Sequence, residues 1–386
     1  AIVGASMAIA RAGAAAARKP LYAYLANDAA GYRMPVPMMN VINGGAHAAN
    51  LLDFQEFMIV PHGAPSFREA MRWGAETYHA LRALLIERGL KAGVGDEGGF
   101  APDLDNNEAA CALIVEAIER AGFNPGEQIA LALDPAASSF WRNGSYDLGK
   151  SDAGPMDSAA LQDLYKAWTR RFPVVSIEDG FGEHDWPAFQ AQTAELGRSI
   201  QIVGDDLYVT NSRLIARGVS EKTTNAALIK LNQIGTVTET IAAISVCRTA
   251  GWNYIVSHRS GETDDPFIAD FAVAMNGGQI KAGAPCRGER LAKYNRLLEI
   301  EREVAGQIFY LPPFSGPSAS AKGDNPAATA SPVSRHQVVA VIEEALTARR
   351  CLTVAQLAAQ RAGDVPLAAL HICVDPDKLI AAAEEI

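Results

Sequence analysis

With 386 residues, 49% of them hydrophobic and 20% charged, the chain can bury one large core and a smaller unit beside it. A net charge of -10 and a pI near 5.3 exclude a nucleic-acid partner held by electrostatics, so any anionic ligand must be met by local cations or by metal. Five scattered cysteines, Cys111, Cys247, Cys286, Cys351 and Cys373, lack CxxC spacing, which argues against a disulfide framework and a zinc site and suits a reducing, cytoplasmic setting.

The opening stretch, Ala1 to Pro20, is Ala-rich and carries Arg11, Arg18 and Lys19 with no acid, a composition shared with targeting peptides. Its apolar stripe continues at helical spacing until a proline stops it, which predicts a packed helix. The absence of an initiating Met predicts that the sequence begins inside a longer gene. No run is long and apolar enough to span a membrane.

Next come two apolar runs, Met38 to Ile42 and Gln55 to Val60, with no helix between them, so they should pair antiparallel. Ser66-Phe67-Arg68-Glu69 is a capping box, opening a helix with Met71, Gly74, Tyr78, Leu81 and Leu85 on one face and Gly89 at its end. A second helix runs from Asn107 to about Ala121. Between the two lies GVGDEGGFAP, Gly93 to Pro102, too glycine-rich for an ordinary connection and holding Asp96 and Glu97 at its centre.

From Ile129 onward a single grammar repeats: a short apolar strand closed by a charged residue, then a helix. The strands end at Asp134, Glu178, Asp205, Lys230, Ser257-His258-Arg259 and Lys281, and Arg142-Asn143-Gly144-Ser145 reads as a hairpin turn inserted after the first. In Gln201 to Gly235 the reading is clearest: strand, a helix opening at Thr210 or Asn211, strand, with Asp205 and Lys230 at the two strand ends. Packing does not explain a charge at the end of a buried parallel strand, whereas α/β proteins put their chemistry there. The order is ββαα(βα)₆, a barrel of the α/β class.

Residues 31–311 are assigned to this barrel, 312–332 to a flexible Pro, Ser, Gly and Ala linker, and 333–386 to a small C-terminal helical segment. That last segment has helix starts at Ser334, Thr353 and Asp375-Pro376. Its LTVAQLAAQ faintly suggests a helix-turn-helix, but a net charge of -2 from Val333 onward makes a poor DNA-binding surface and favours a docking role.

Asp134, Glu178 and Asp205 offer three oxygen ligands from adjacent strand ends, as Mg²⁺ requires when water and substrate complete its shell. Each acid could instead cap the helix that follows it. Lys230 and Lys281 should face the same point, where cationic neighbours would lower a lysine's pKa and let it act as a base; the alternative is that they are counter-ions. Glu56 and Glu97 could form a pair that holds one proton. His47 is either a loop histidine or a catalyst, and His258, Arg259 and Ser260 suit a phosphate group.

INGGAHAAN, QEFMIVP, VGDEGGFAP, SIED, VGDD, LIKLNQIGTVTET, SHRSGETDD and GQIKAGAPCRGERLAKYN together resemble the enolase family, the phosphopyruvate hydratases, from residue 1 to about 303. The resemblance implies an enolase-type TIM-like barrel and the reversible, Mg²⁺-dependent dehydration of 2-phosphoglycerate to phosphoenolpyruvate in glycolysis. It implies Asp134, Glu178 and Asp205 as metal ligands, Lys230 as the base at C2, and Glu97 with Glu56 beside it as the acid. Lys281 would neutralise the substrate carboxylate, Arg259 and Ser260 would hold phosphate, and His47 and His258 would line the pocket. The resemblance further implies the superfamily's lysine base and metal-stabilised enediolate.

The sequence departs from the family in three places. Residues 1–30 resemble only the last helix of the family's N-terminal capping domain, Ala282 stands where many relatives have threonine, and the tail has no family counterpart. These departures motivate an alternative function, a catalytically impaired enolase-like binding or scaffold protein. They also leave a homo-oligomer and a protein partner for the tail open.

Overall fold

The computed structural model describes residues 1–26, 31–151, 154–305 and 308–310. The linker and helical segment expected at 312–332 and 333–386 lie outside the described residues. The chain divides into two units, one beginning at Ala1 and the other at Ala30.

The first unit contains α1 (Ile2–Ala16) and α2 (Leu21–Ala26). Ser6, Ala10 and Ala14 recur at a spacing of four and form the buried stripe of α1. The chain leaves the helix through Arg18 in the left-handed region, just ahead of Pro20, so the predicted helix and its stop are both present.

The second unit is a closed barrel of eight strands: β1 (Val36–Asn43), β2 (Glu56–Val60), β3 (Ala130–Asp134), β4 (Val174–Glu178), β5 (Gln201–Gly204), β6 (Ala226–Ile229), β7 (Asn253–Ser257) and β8 (Gln279–Lys281). Spatial order follows chain order around the ring. β2 runs antiparallel to both its neighbours, and every other pairing is parallel. The helices α3 (Phe67–Glu87) and α4 (Asn107–Arg120) separate β2 from β3, and α5 (Ser158–Arg171), α6 (Trp186–Leu196) and α7 (Ser212–Glu221) follow β3, β4 and β5. After β6 come the short α8 (Leu231–Ile234) and α9 (Val237–Thr249); α10 (Phe267–Ala274) and α11 (Gly288–Glu303) complete the ββαα(βα)₆ order.

Local chemistry sets the boundaries. Ser66 caps α3 by accepting the Glu69 amide at 3.2 Å, and Asn106 caps α4 through the Ala109 amide at 2.9 Å. The hairpin after β3 turns through Asn143 and Gly144, both at positive φ as a two-residue turn requires.

Side chains alternate along a strand, so one parity of each strand faces the barrel interior. Val36, Met38, Met58, Val60, Ala132, Val203, Ala226, Leu228 and Ile255 form the apolar core inside the ring. Among them, Gln201 and Gln279 exchange two amide hydrogen bonds of 3.0 and 2.9 Å, and Gln201 also donates to Ser176 at 3.1 Å. Continuing the same parity to the C-terminal ends of the parallel strands reaches Asn40, Asp134, Glu178, Asp205, Lys230, Ser257 and Lys281. Because β2 is reversed, its first residue, Glu56, joins that ring, paired with Asp134 across the sheet.

Candidate active site

The ring opens into a cleft of about 220 Å³ at the C-terminal ends of the strands. Of the residues singled out from sequence, His47, Glu56, Glu97, Asp134, Asp205, Lys230, His258, Arg259, Ser260 and Lys281 all line it. Glu178 stands just behind, reached through Lys281.

Lys281 is 2% exposed and ties three strands together: its Nζ donates to Asp134 Oδ2 at 2.8 Å and Glu178 Oε1 at 2.9 Å, and lies 3.1 Å from Glu56 Oε2. Burial opposes its charge, but Asp134, Glu178 and Glu56 overcome that and hold it well above the usual lysine range. Lys230 is bonded to Asp205 Oδ2, and Gln233 donates to the other Asp205 oxygen at 2.9 Å. Among the protein's own groups, carboxylates outweigh cations in setting the pKa of Lys230. Against the desolvation that would lower it, Asp205 and Glu178 raise it, and the opposing influence of Lys281 is weaker.

Glu97 arrives from the glycine loop, which is stitched to the end of β1. The Phe100 amide donates to Val41 O at 2.9 Å and the Asn43 amide to Phe100 O at 2.8 Å. At Gly99 a Cβ would lie 2.3 Å from Asn43 Oδ1 and 2.9 Å from Asn40 O, so only glycine admits this approach. Asn40 Nδ2 donates to Glu97 Oε2 at 3.1 Å, and His258 Nε2 lies 3.3 Å from the same oxygen, off-line for a full hydrogen bond. His47 Nδ1 is 3.9 Å from Glu56 and 4.0 Å from Glu97.

Burial, then the charge of Glu97, pushes the Glu56 carboxyl well above the ordinary range. Burial acts on Glu97 too, but His258, Lys281 and His47 outweigh it and hold Glu97 well below. The two acids are thus pushed apart, Glu56 toward its protonated form and Glu97 toward its ionised form. Burial lowers both histidines.

Six carboxylates line the cleft against Lys230, Lys281 and Arg259, an imbalance hostile to an anionic substrate unless further positive charge is added. Glu178 Oε2 is buried and has no hydrogen-bond partner among the described residues. Oxygens of Asp179, Asp205 and Asp206 also lie within 4.8 Å of one another, a group able to hold a metal ion. Within that group Asp179 already accepts the amides of Asp205 at 2.9 Å and Asp206 at 2.8 Å, which leaves it less free to coordinate. Burial and Asp205 raise Asp206 to about 6. A hard divalent cation fits this donor set, with the orphaned Glu178 oxygen as its clearest vacancy in bonding.

Residue-type reasoning passed over Asn40, Gln233, Asp179 and Asp206. The second acid of each doublet was visible in SIED and VGDD. For Asn40 and Gln233 strand parity and helix facing were the available signals, and these need the strand boundaries first.

The chain matches the family described as "Enolase, C-terminal TIM barrel domain" over residues 31–314. It is similar to Enolase 1 of Methylococcus capsulatus, 61% identical over 304 residues, covering 79% of this chain and 72% of that one. It is also similar to Enolase of Desulfotalea psychrophila, 59% identical over 80% of this chain and 74% of that one. To Enolase 1 of Methanospirillum hungatei it is 54% identical, over 80% and 72% respectively.

Proposed function

The chain belongs to the enolase family of hydro-lyases, and from that premise we propose that it catalyses the Mg²⁺-dependent, reversible dehydration of 2-phosphoglycerate to phosphoenolpyruvate. The observation that carries this reading is the placement of Lys230 just after β6 and of Glu56 on β2, two strands that stand four apart in a ring of eight. The base and the proton-bearing acid pair therefore face the cleft from opposite sides.

In this reading Lys230 Nζ takes the C2 proton. The C3 hydroxyl leaves as water with the proton that Glu56 and Glu97 hold, passed on by Glu97, and the electrons of the C2–H bond become the new double bond. Lys281 places positive charge beside the substrate carboxylate. Arg259 and Ser260, both exposed at the mouth, hold the phosphate. His47 and His258 position the acid pair.

Asp134, Glu178 and Asp205 would hold Mg²⁺. Bound there, it would supply the charge that makes a proton next to a carboxylate acidic, and would compete with Lys230 for Asp205. Lys230 becomes a competent base only when its grip on Asp205 is loosened, which the raised lysine pKa already implies.

A cytoplasmic setting belongs to the same proposal, supported by the free thiols of Cys111, Cys247 and Cys286. No described helix is long and apolar enough to cross a membrane. The deciding experiment follows phosphoenolpyruvate absorbance from 2-phosphoglycerate as Mg²⁺ is titrated into the full chain. Saturable, Mg²⁺-dependent turnover is expected, and a folded, Mg²⁺-binding protein with no turnover would overturn the proposal.

A further inference from the structure

Helix α11 contributes none of the groups assigned above, yet its first turns carry two cations that are each 1% exposed, Arg290 and Lys293. Burying a guanidinium is costly unless its donors are used, and here the two terminal nitrogens are fully engaged. Nη1 meets His258 Nδ1 at 2.5 Å and Arg259 O at 2.6 Å. Nη2 meets Asp96 O at 3.0 Å and Ser260 O at 2.6 Å. One planar group thus grips the loop bearing His258, Arg259 and Ser260 and, next to Glu97, the glycine loop. Lys293, one helical turn on, holds the same first loop further along, through Glu262 Oε2 at 3.2 Å and the Thr263 carbonyl. Gly283 leaves room for this grip, since a Cβ there would lie 2.9 Å from Arg290 Cδ and 2.7 Å from Glu97 O.

We propose that Arg290 is a positioning residue that fixes His258 as the neutral Nε2–H tautomer, so that the ring presents its one proton to Glu97 while the loop beside it is held ready for phosphate. An arginine has donors only and does not lose its proton, so the nitrogen it faces must accept. That nitrogen is Nδ1. The proton of the neutral ring is then confined to Nε2, which lies 3.3 Å from Glu97 Oε2. Adding a proton at Nδ1 would set two donors against each other. The assignment of roles to Glu97 and the phosphate loop rests on the reading above, but the tautomer does not.

The test labels the histidines of the full-length chain with ¹⁵N and records imidazole nitrogen–proton correlations, with His258 assigned by the signals lost in His258→Gln. A bare Nδ1 and a protonated Nε2 at neutral pH are expected. An Nδ1–H tautomer or an imidazolium overturns the proposal, and this needs no Arg290 variant to fold. In Arg290→Met the tautomers should mix and kcat should fall roughly 100-fold with a smaller change in KM, as for a misplaced catalytic group. Arg290→Lys, which can still donate to Nδ1, should restore the Nε2–H tautomer and part of kcat. An unmixed tautomer with unchanged kcat in Arg290→Met would equally overturn it. Wild-type protein with the expected tautomer but no turnover would sink the enolase reading and leave this one intact.

Discussion

The two ends of the barrel interior are built from the same strands on opposite principles. Toward the N-terminal ends, the buried polar groups satisfy one another: Gln201, Gln279 and Ser176 form a closed set of amide and hydroxyl hydrogen bonds. Toward the C-terminal ends, buried oxygens of Asn40 and Glu178 have no hydrogen-bond partner among the described residues, and carboxylates crowd two lysines. Unsatisfied buried groups cost stability, so a layer built this way suits a bound cation and substrate. Within the barrel interior, polarity alone does not distinguish site from scaffold, whereas hydrogen-bond completion does.

The comparison breaks most visibly at Lys230. Lys230→Ala should slow exchange of the C2 hydrogen of 2-phosphoglycerate with solvent roughly 10³- to 10⁴-fold, the scale of a lost general base. Undiminished exchange would remove Lys230 from the base role.

At the other end the balance should invert. Gln201→Ala leaves Gln279 and Ser176 without partners and should destabilise the fold by about 2 kcal/mol in chemical denaturation, with near-normal kcat. A variant as stable as wild type would show that the lower layer is no better satisfied than the upper.

Acidity sharpens the contrast. The folded Glu56 carboxyl lies well above its ordinary 4.5, so its burial costs nothing below that pH and increasingly more as pH rises past it. In metal-free buffer Glu56→Gln should melt higher than wild type at pH 7, and the gap should close as pH falls toward 4.5. A gap that stays constant with pH would mean that Glu56 does not carry the proton of the pair.

The smallest effect is expected far from both layers. Ser66→Ala removes the α3 cap and should cost about 1 kcal/mol, with kcat and KM unchanged.

Much of this arrangement was legible in the one-dimensional text. Each βα unit is local, so a short apolar run ending in a charge, then a cap, then a helix, can be read within some thirty residues. The ββαα start, the Ser66 capping box, the Asn143-Gly144 turn and the strand-end groups from Asp134 to Lys281 all belong to that class. The Glu56–Glu97 pair was also readable as two acids in suspicious settings, although which one holds the proton was not. The direction in which the protein's own groups move the Lys230 pKa was unreadable for a related reason: it depends on whether Asp205 or Lys281 stands nearer, and residue types do not say.

What the sequence by itself determined is therefore the periodic and the local: the strand and helix order, the end of the barrel where charge collects, and the identity of the groups that could act there. Only closure of the barrel decided the rest. It set Lys230 opposite Glu56, joined Lys281 to carboxylates on three strands, paired Gln201 with Gln279, and brought Arg290 from the last helix onto His258. Those relations depend on distances between residues 32 to 225 positions apart along the chain, and electrostatic and hydrogen-bond energies change steeply with distance over a few ångströms.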